Sequence, residues 1–183
     1  MLGAVLALRP RPSTLLDIGS GAGDLTRAIA VALPATSITA LDSYPPMGSG
    51  HNIHFVSGRV ESLPFADRTF DAVTASLTLH HWQHKQKGLQ EAYRVLKDGG
   101  RLIIGDPLLD GLLRSKFWGR VAQRIDGGNF VVPDELNRYL LRAGFAGQSR
   151  RVVPGSLNSL YLITATKHED TRDEHFLPSS SSG

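Results

Sequence analysis

The chain has 183 residues, of which 41% are apolar and 20% are charged, so it is long enough to bury one hydrophobic core. Lysine and arginine outnumber aspartate and glutamate by 20 to 17, a small excess that does not form the basic stripe typical of nucleic-acid binding. Cysteine is absent, which excludes disulfides, cysteine-ligated zinc and thiol nucleophiles and is compatible with a reducing compartment.

We expect no signal peptide in this sequence. The first residues, MLGAVLALRPRPS, are apolar but lack the leading positive charge and the small-residue cleavage site of a signal peptide. No apolar run approaches the roughly 20 residues that a membrane span needs, so we expect a cytoplasmic protein with no membrane span. We expect a single domain over 1–166 and a polar, disordered tail over 167–183.

Strand and helix patterns alternate along the chain, as they do in a parallel sheet covered on both faces. Apolar strand patterns predict seven strands, at 14–18, 37–41, 53–57, 71–76, 101–105, 148–153 and 160–166. Helical apolar spacing predicts four helices: one that Pro34 ends, one that Gly99 and Gly100 cap, one over 108–125, and one that Pro133 opens and Gly144 ends.

The last two predicted strands are separated by a short segment that contains Pro154-Gly155-Ser156. They are therefore expected to be antiparallel neighbours, because a parallel crossover needs about a dozen residues or more. The sequence thus predicts an α/β fold with a doubly wound, seven-stranded, mostly parallel sheet and an antiparallel C-terminal hairpin. A dinucleotide-binding fold, whose second half repeats βαβ units, is a poorer match.

The first strand runs into a glycine loop, LLDIGSGAGDLT at 15–26. Such a loop offers free backbone N–H groups to a ligand at the start of the next helix. The dinucleotide fingerprint needs a third glycine where this chain has Asp24, and Asp17 adds another acid at the strand end. Two carboxylates disfavour a pyrophosphate and favour a cationic ligand such as S-adenosylmethionine. A tight turn without a ligand is the alternative.

A further carboxylate, Asp42, follows the second strand in ITALDSYPPM. A carboxylate at this place can accept hydrogen bonds from both hydroxyls of a ribose. NAD and S-adenosylmethionine both contain that ribose, so Asp42 indicates a nucleoside without choosing between them. The alternative is a turn aspartate ahead of Ser43 and two prolines.

Motifs further along the chain help to choose between NAD and S-adenosylmethionine. VSGRVESLPFADRTFDAVTASLTLHHW at 56–82 and LQEAYRVLKDGGRLIIGDP at 89–107, together with the glycine loop, resemble the class I S-adenosylmethionine-dependent methyltransferases, in particular small-molecule enzymes of the ubiquinone/menaquinone type. The resemblance spans 15–106 and, more loosely, the last helix and the last two strands. It implies a Rossmann-like fold, S-adenosylmethionine as the cofactor, and methyl transfer to a small-molecule acceptor.

The resemblance also implies a cofactor site, segment by segment. Around the methionine portion it places Asp17, Gly19, Ser20, Gly21, Gly23, Ser76 and Leu77. At the ribose it places Asp42 and Ser43, and at the adenine Arg59, Val60 and Glu61. No metal ligands are implied.

Arg59 departs from the family pattern, which has an acid directly after the glycine that Gly58 matches. That acid accepts a hydrogen bond from the adenine amine, whereas arginine has only donors. Glu61 or a backbone carbonyl is the expected replacement.

His80 and His81 follow the fourth strand, where the transferable methyl is expected, and either could take a proton from a nucleophile. Capping of the next helix is the alternative for both. Phe65 and Phe70 fit core positions as well as site positions, so we assign them no ligand role. Trp82 and Trp118 are the aromatic candidates for a pocket wall.

The acceptor is expected to be a small molecule and not nucleic acid, because the chain lacks the Asn/Asp-Pro-Pro-Tyr signature used on nucleobase amines. A second copy of the chain or a partner protein could complete an open pocket. Two rival functions stay open: a non-catalytic module of the same fold, which Arg59 keeps in play, and an NAD(P)-dependent oxidoreductase, which Asp24 and the terminal hairpin disfavour.

Overall fold

A seven-stranded sheet forms the centre of the computed structural model, which describes residues 1–46, 48, 50–109, 129–153 and 160–168. The strands are β1 Thr14–Ile18, β2 Ser37–Asp42, β3 Ile53–Ser57, β4 Phe70–Ser76, β5 Leu96–Pro107, β6 Phe145–Val153 and β7 Leu160–Lys167. The helices are α1 Leu2–Leu6, α2 Asp24–Ala32, α3 Lys85–Val95 and α4 Pro133–Ala143, with a 3₁₀ helix at Leu79–His81.

The strand order is β3-β2-β1-β4-β5-β7-β6. Strands β1 to β5 pair in parallel, and β7 pairs antiparallel with both β5 and β6. The predicted fold class is therefore confirmed, including the antiparallel C-terminal pair. The order reverses between β1 and β4, and open α/β sheets bind ligands outside the carboxyl ends of the strands at such a switch point.

Two apolar cores cover the two faces of the sheet. On one face, Leu89 of α3 and Leu136 of α4 belong to the same buried cluster as Leu16 of β1. On the other face, Val5 of α1 and Ile29 of α2 pack in a cluster with Leu15, Ile38 and Ile103. Adjacent residues of β1 are thus buried on opposite faces, as expected for a central parallel strand.

Helix α1 is absent from the sequence prediction, which began the ordered elements at β1. Its five residues bury Val5, which is 1% exposed. Five residues are too few for apolar periodicity to be recognised, since that signal needs a window of about 11 residues.

The prediction that Gly99 and Gly100 cap α3 is wrong. Helix α3 ends at Val95, and Leu96 is already extended and opens β5. Gly99, with φ of 72°, lies where the pairing of β4 with β5 shifts register between Phe70 and Ala72. The glycines thus accommodate an irregularity inside the strand. Pro133 and Gly144 do open and end α4 as predicted, and Gly144 has a φ of 100°.

Strand β6 begins at Phe145 and not at residue 148, because Gly147, with φ of 58°, lies within a register shift that lets pairing continue to both sides. Strand β7 includes Lys167, which is one residue beyond the predicted domain end and is 7% exposed.

Leu108 and Leu109 are buried outside any helix, while the rest of the predicted helix 108–125, with Trp118, lies outside the described residues. Within the described part of the chain, no helix has the length and apolar character to cross a bilayer.

Candidate cofactor cleft and histidine site

A cleft of about 300 Å³ opens beside the carboxyl ends of β1 and β2. The structure brings seven of the predicted site residues to its lining: Gly19, Asp42, Ser43, Arg59, Val60, Glu61 and His81. Trp82, an aromatic candidate for a pocket wall, also lines this cleft. The other lining residues were not singled out as site residues: Ile18, Leu41, Gly58, Thr78 and Gln83.

The glycine loop between β1 and α2 needs its three glycines. Gly19, Gly21 and Gly23 have φ values of 68°, 53° and 84°, a left-handed region that costs other residues free energy. At Gly19 there is also no room, since a Cβ would collide with the side chain of Thr78. The loop therefore lies directly against the segment that follows β4.

Asp42 fastens the loop to the end of β2. Its Oδ2 accepts a hydrogen bond from the N–H of Gly21 at 2.9 Å, and its Oδ1 accepts one from the N–H of Tyr44 at 3.0 Å. Each carboxylate oxygen has lone-pair capacity for a further donor. The half-buried carboxylate on the cleft wall can therefore receive ribose hydroxyls without losing its backbone partners.

Asp17 lies behind the loop and does not line the cleft. It is 2% exposed, and its two oxygens accept hydrogen bonds from the hydroxyls of Thr26 at 2.6 Å and Thr74 at 2.7 Å. Burial raises the pKa of this carboxyl, and the two hydroxyl hydrogen bonds oppose the shift. The side chain thus joins α2 to β4, and any effect of Asp17 on a ligand would be indirect.

The remaining predicted methionine-end residues lie outside the cleft lining. They are Ser20, Gly21, Gly23, Ser76 and Leu77. The Ser20 hydroxyl is buried without a hydrogen-bond partner among the described residues. Leu77 has a φ of 52°, and its N–H donates to the carbonyl of Gly105 at 2.7 Å, so this residue stays hydrogen-bonded to β5 directly after β4.

Arg59, Glu61 and Gln83 form a connected polar rim on the cleft. The Nη2 of Arg59 donates to the Oε1 of Gln83 at 2.9 Å, and its Nε lies 3.7 Å from the Oε2 of Glu61. The Oε1 of Glu61 accepts the N–H groups of Gln83 and His84 ahead of α3. An anion is favourable there because a helix N-terminus carries partial positive charge. The Arg59 side chain is 58% exposed.

Trp82 forms an apolar wall of the same cleft and is 5% exposed. Its Nε1 lies 3.4 Å from the Thr78 hydroxyl. Helix α3 approaches the indole through Gly88, where a Cβ would lie only 2.7 Å from a ring carbon of Trp82. The absence of a side chain at Gly88 thus lets the indole and the helix pack closely.

The two histidines have different surroundings. His80 is 6% exposed, and its Nδ1 lies 2.9 Å from the Oδ1 of Asp106, which is 1% exposed. Asp106 also accepts the N–H of Leu79 at 2.9 Å, and the ring of Phe130 stacks on His80 at 4.8 Å. His81 is exposed and lines the cleft. Among the described residues, a carboxylate therefore holds the ring of His80 but not that of His81.

Lys85 places a cation near this pair. It is 5% exposed, and its ammonium donates to the carbonyl of Trp82 at 3.0 Å. Burial lowers the pKa of Lys85, while the charges of Asp106, Glu135 and Glu61 oppose that shift. The ammonium therefore interacts electrostatically with Glu61 on the cleft and with Asp106 of the histidine pair.

Residues 16–104 match the methyltransferase domain family. The ubiquinone/menaquinone biosynthesis C-methyltransferase UbiE of Klebsiella pneumoniae is 36% identical over 120 residues, which cover 57% of this chain and 48% of the relative. The demethylmenaquinone methyltransferase of Thermus thermophilus is 34% identical over 108 residues, with 54% and 49% covered. The chain spans about half the length of the curated relatives it matches.

Solved structures share the fold. A candidate methyltransferase from Bacillus halodurans has a TM-score of 0.73 at 19% identity, covering 92% of this chain and 99% of that one. A candidate methyltransferase from Haloferax volcanii, in complex with the Trm112 activator, has a TM-score of 0.73 at 18% identity, with 91% and 88% covered. PigF with bound SAH has a TM-score of 0.68 at 25% identity, with 90% and 60% covered. The chain is thus similar to methyltransferases over residues 16–104, and it shares the fold of these solved methyltransferase structures.

Proposed function

We propose that the chain transfers a methyl group from S-adenosylmethionine to a small-molecule acceptor. The observation that carries this proposal is the cleft at the carboxyl ends of β1 and β2, where the Asp42 carboxylate lies on the wall and anchors the glycine loop. Relatives that are 36% and 34% identical are named as methyltransferases, and PigF, at 25% identity, contains SAH.

The residues present fit this cofactor. Asp42 can accept the ribose hydroxyls, Trp82 offers an apolar face to the base, and the Ser20 hydroxyl is a buried polar group that a ligand could satisfy after a small movement of the loop. We also propose that the residues predicted around the methionine portion of the cofactor contact it. When bound, the cofactor supplies a methyl group on a positively charged sulfur, which is displaced as the acceptor nucleophile bonds to the carbon.

His80 is the candidate base for an acceptor that must lose a proton. With Asp106 ionised, a neutral His80 donates from Nδ1 to the carboxylate, which fixes the tautomer in which Nε2 carries the lone pair. Asp106 would also stabilise the imidazolium once the proton has been taken, as a carboxylate does for histidine bases generally. Much of the remaining rate would come from holding the acceptor in line with the breaking bond.

The test is calorimetric titration of the wild-type chain with S-adenosylmethionine, S-adenosylhomocysteine and NADH, followed by a screen of phenols, enols and amines for S-adenosylhomocysteine release. We expect both sulfur ligands to bind, NADH not to bind, and at least one acceptor to be turned over. Preferential binding of NADH would contradict the proposal. Cofactor binding without turnover of any acceptor would favour the non-catalytic alternative.

The location and the assembly belong to the proposal as well. A cysteine-free chain is compatible with the reducing cytoplasm, where we place the protein. The complex of the Haloferax volcanii neighbour with an activator supports testing whether a partner or a second copy completes the acceptor side. Cell fractionation and light scattering of the purified chain would check these two points.

A further inference from the structure

The adenine amine needs a hydrogen-bond acceptor on the cleft, and Arg59 cannot provide one from its side chain. The expected substitute, Glu61, is already engaged: Oε1 accepts two backbone N–H groups at 3.1 and 3.2 Å, and Oε2 faces the Arg59 guanidinium. The backbone carbonyl of Arg59 accepts the N–H of Ser62 at 3.1 Å. The Glu61 carboxylate and the Arg59 carbonyl therefore already have partners, which the adenine amine would have to share.

Gln83 is a different case. Gln83 is exposed and lines the cleft, and among the described residues its Oε1 accepts one hydrogen bond, from Arg59. An amide oxygen has two lone pairs, so this oxygen can accept a second donor from the cleft. Gln83 adjoins Trp82, whose indole forms the apolar wall beside it.

Arg59 also determines which end of the Gln83 amide faces it. A glutamine amide can present either oxygen or nitrogen by rotating, and its orientation must be deduced from its partners. A guanidinium has five donors and no acceptor, so only the oxygen can face it at 2.9 Å. The arginine thus holds Gln83 as an acceptor on the cleft rim.

We propose that Gln83 reads the amino group of the cofactor's base and that Arg59 acts as the positioning residue that fixes its amide. The inference rests on the proposed function and goes beyond it by naming the specificity-determining pair. In this arrangement a 6-aminopurine donates to Gln83, whereas a 6-oxopurine would set one acceptor against another. The site would therefore reject the deaminated cofactor even though the usual acid is missing.

The experiment compares the Kd of S-adenosylhomocysteine with that of its 6-oxo analogue, S-inosylhomocysteine, by calorimetry. We expect the wild-type chain to prefer the amino form by tenfold or more, since the 6-oxo form leaves a polar group unsatisfied. Gln83→Ala should weaken S-adenosylhomocysteine by a few fold to about tenfold and remove most of the preference. Gln83→Glu, which still accepts and still pairs with Arg59, should retain the preference.

Arg59→Ala distinguishes the positioning role. It frees the Gln83 amide to rotate and donate its NH₂ to a 6-oxo group, so S-inosylhomocysteine should bind more tightly while S-adenosylhomocysteine changes little. Gln86→Ala is the matched control, because the Gln86 amide donates to the carbonyl of Tyr139 and lies away from the cleft lining.

The outcomes separate this inference from the proposed function. If Gln83→Ala keeps the wild-type preference while Asp42→Ala weakens both ligands, the assignment of Gln83 is overturned and the cofactor site stands. If Arg59→Ala changes neither ligand, the positioning role is wrong. If the wild-type chain binds neither ligand, the proposed function fails and this inference fails with it.

Discussion

The carboxylate at the cofactor cleft, Asp42, and the carboxylate beside His80, Asp106, have opposite surroundings. At the end of β2, Asp42 is half-buried, accepts two backbone N–H groups and faces the cleft. At the end of β5, Asp106 is 1% exposed and accepts from the Leu79 N–H while pairing with His80. The first arrangement is suited to receive a ligand, and the second to hold a side chain. Substitutions at the cofactor cleft should therefore change ligand affinity, whereas substitution of His80 should change turnover.

The largest expected effect is on the histidine side. His80→Ala should lower turnover by about a hundredfold or more while leaving S-adenosylmethionine binding nearly unchanged, because a general base contributes to the chemical step and not to cofactor affinity. Single-turnover kinetics and calorimetry on the same preparation would check this, with circular dichroism to confirm folding. Equal loss of affinity and turnover would place His80 in the cofactor site instead.

The next effect is on the cofactor side. Asp42→Ala should weaken S-adenosylmethionine binding by about 1.5 to 3 kcal/mol, because it removes hydrogen bonds to a charged acceptor and frees the glycine loop. Calorimetry gives the change directly. Asp67→Ala is the control, since this carboxylate is 72% exposed, pairs with Arg94 and lies outside the cleft lining. An unchanged dissociation constant in a folded Asp42 variant would reject its assignment.

A smaller effect should follow from Asp17, which lies between the two sides. Its pKa is raised in the folded protein, so its stabilising contribution is fully present below the unfolded value of 3.8 and is lost as the pH rises through the folded pKa. Asp17→Asn should therefore raise Tm at neutral pH, and the gain should shrink as the pH falls towards 3.8.

The asparagine can keep both threonine partners. The asparagine oxygen can accept the hydrogen bond from the Thr26 hydroxyl, and the asparagine NH₂ can donate to the Thr74 hydroxyl. The Thr74 hydroxyl can then donate its own hydrogen to the carbonyl of Leu16, which lies 3.4 Å away. Thermal unfolding of both chains across pH 4 to 8 would measure the difference. A lower Tm for the variant at every pH would show that the ionised carboxylate stabilises the fold.

The smallest effect is expected at His81, which is exposed and has no carboxylate partner among the described residues. His81→Ala should change turnover by less than about threefold, as for a surface substitution that removes only a cleft-wall ring. Steady-state kinetics beside the His80 variant would check this. If both variants lost turnover equally, the carboxylate partner of His80 would not give it a catalytic role that His81 lacks.

The fold could be predicted from the sequence because its signals are local. Apolar runs located the seven strands, and the short segment before residue 160 required the last pair to be antiparallel. Gly99 was misassigned because a left-handed glycine serves a helix end and a strand irregularity equally well, and only the register of β4 against β5 distinguishes them.

The site was less predictable, because its decisive contacts join distant residues. Asp42 was found from its place at a strand end, which is a local signal. The pairing of His80 with Asp106 depends on β4 lying beside β5, and an acid at the end of the adjacent strand was the available clue. The contact of Arg59 with Gln83 depends on how α3 docks, and no sequence pattern marks that docking.

Gly88 affects the width of the cleft although it lies behind the wall that Trp82 forms. The residue does not line the cleft, yet the indole that does so rests against its bare Cα. Any side chain there would push Trp82 forwards or α3 backwards, so successively larger residues at this position would act as a graded constriction of the ligand space. A single site remote from the ligand therefore offers a means of tuning which bases the protein admits while every contact residue stays the same.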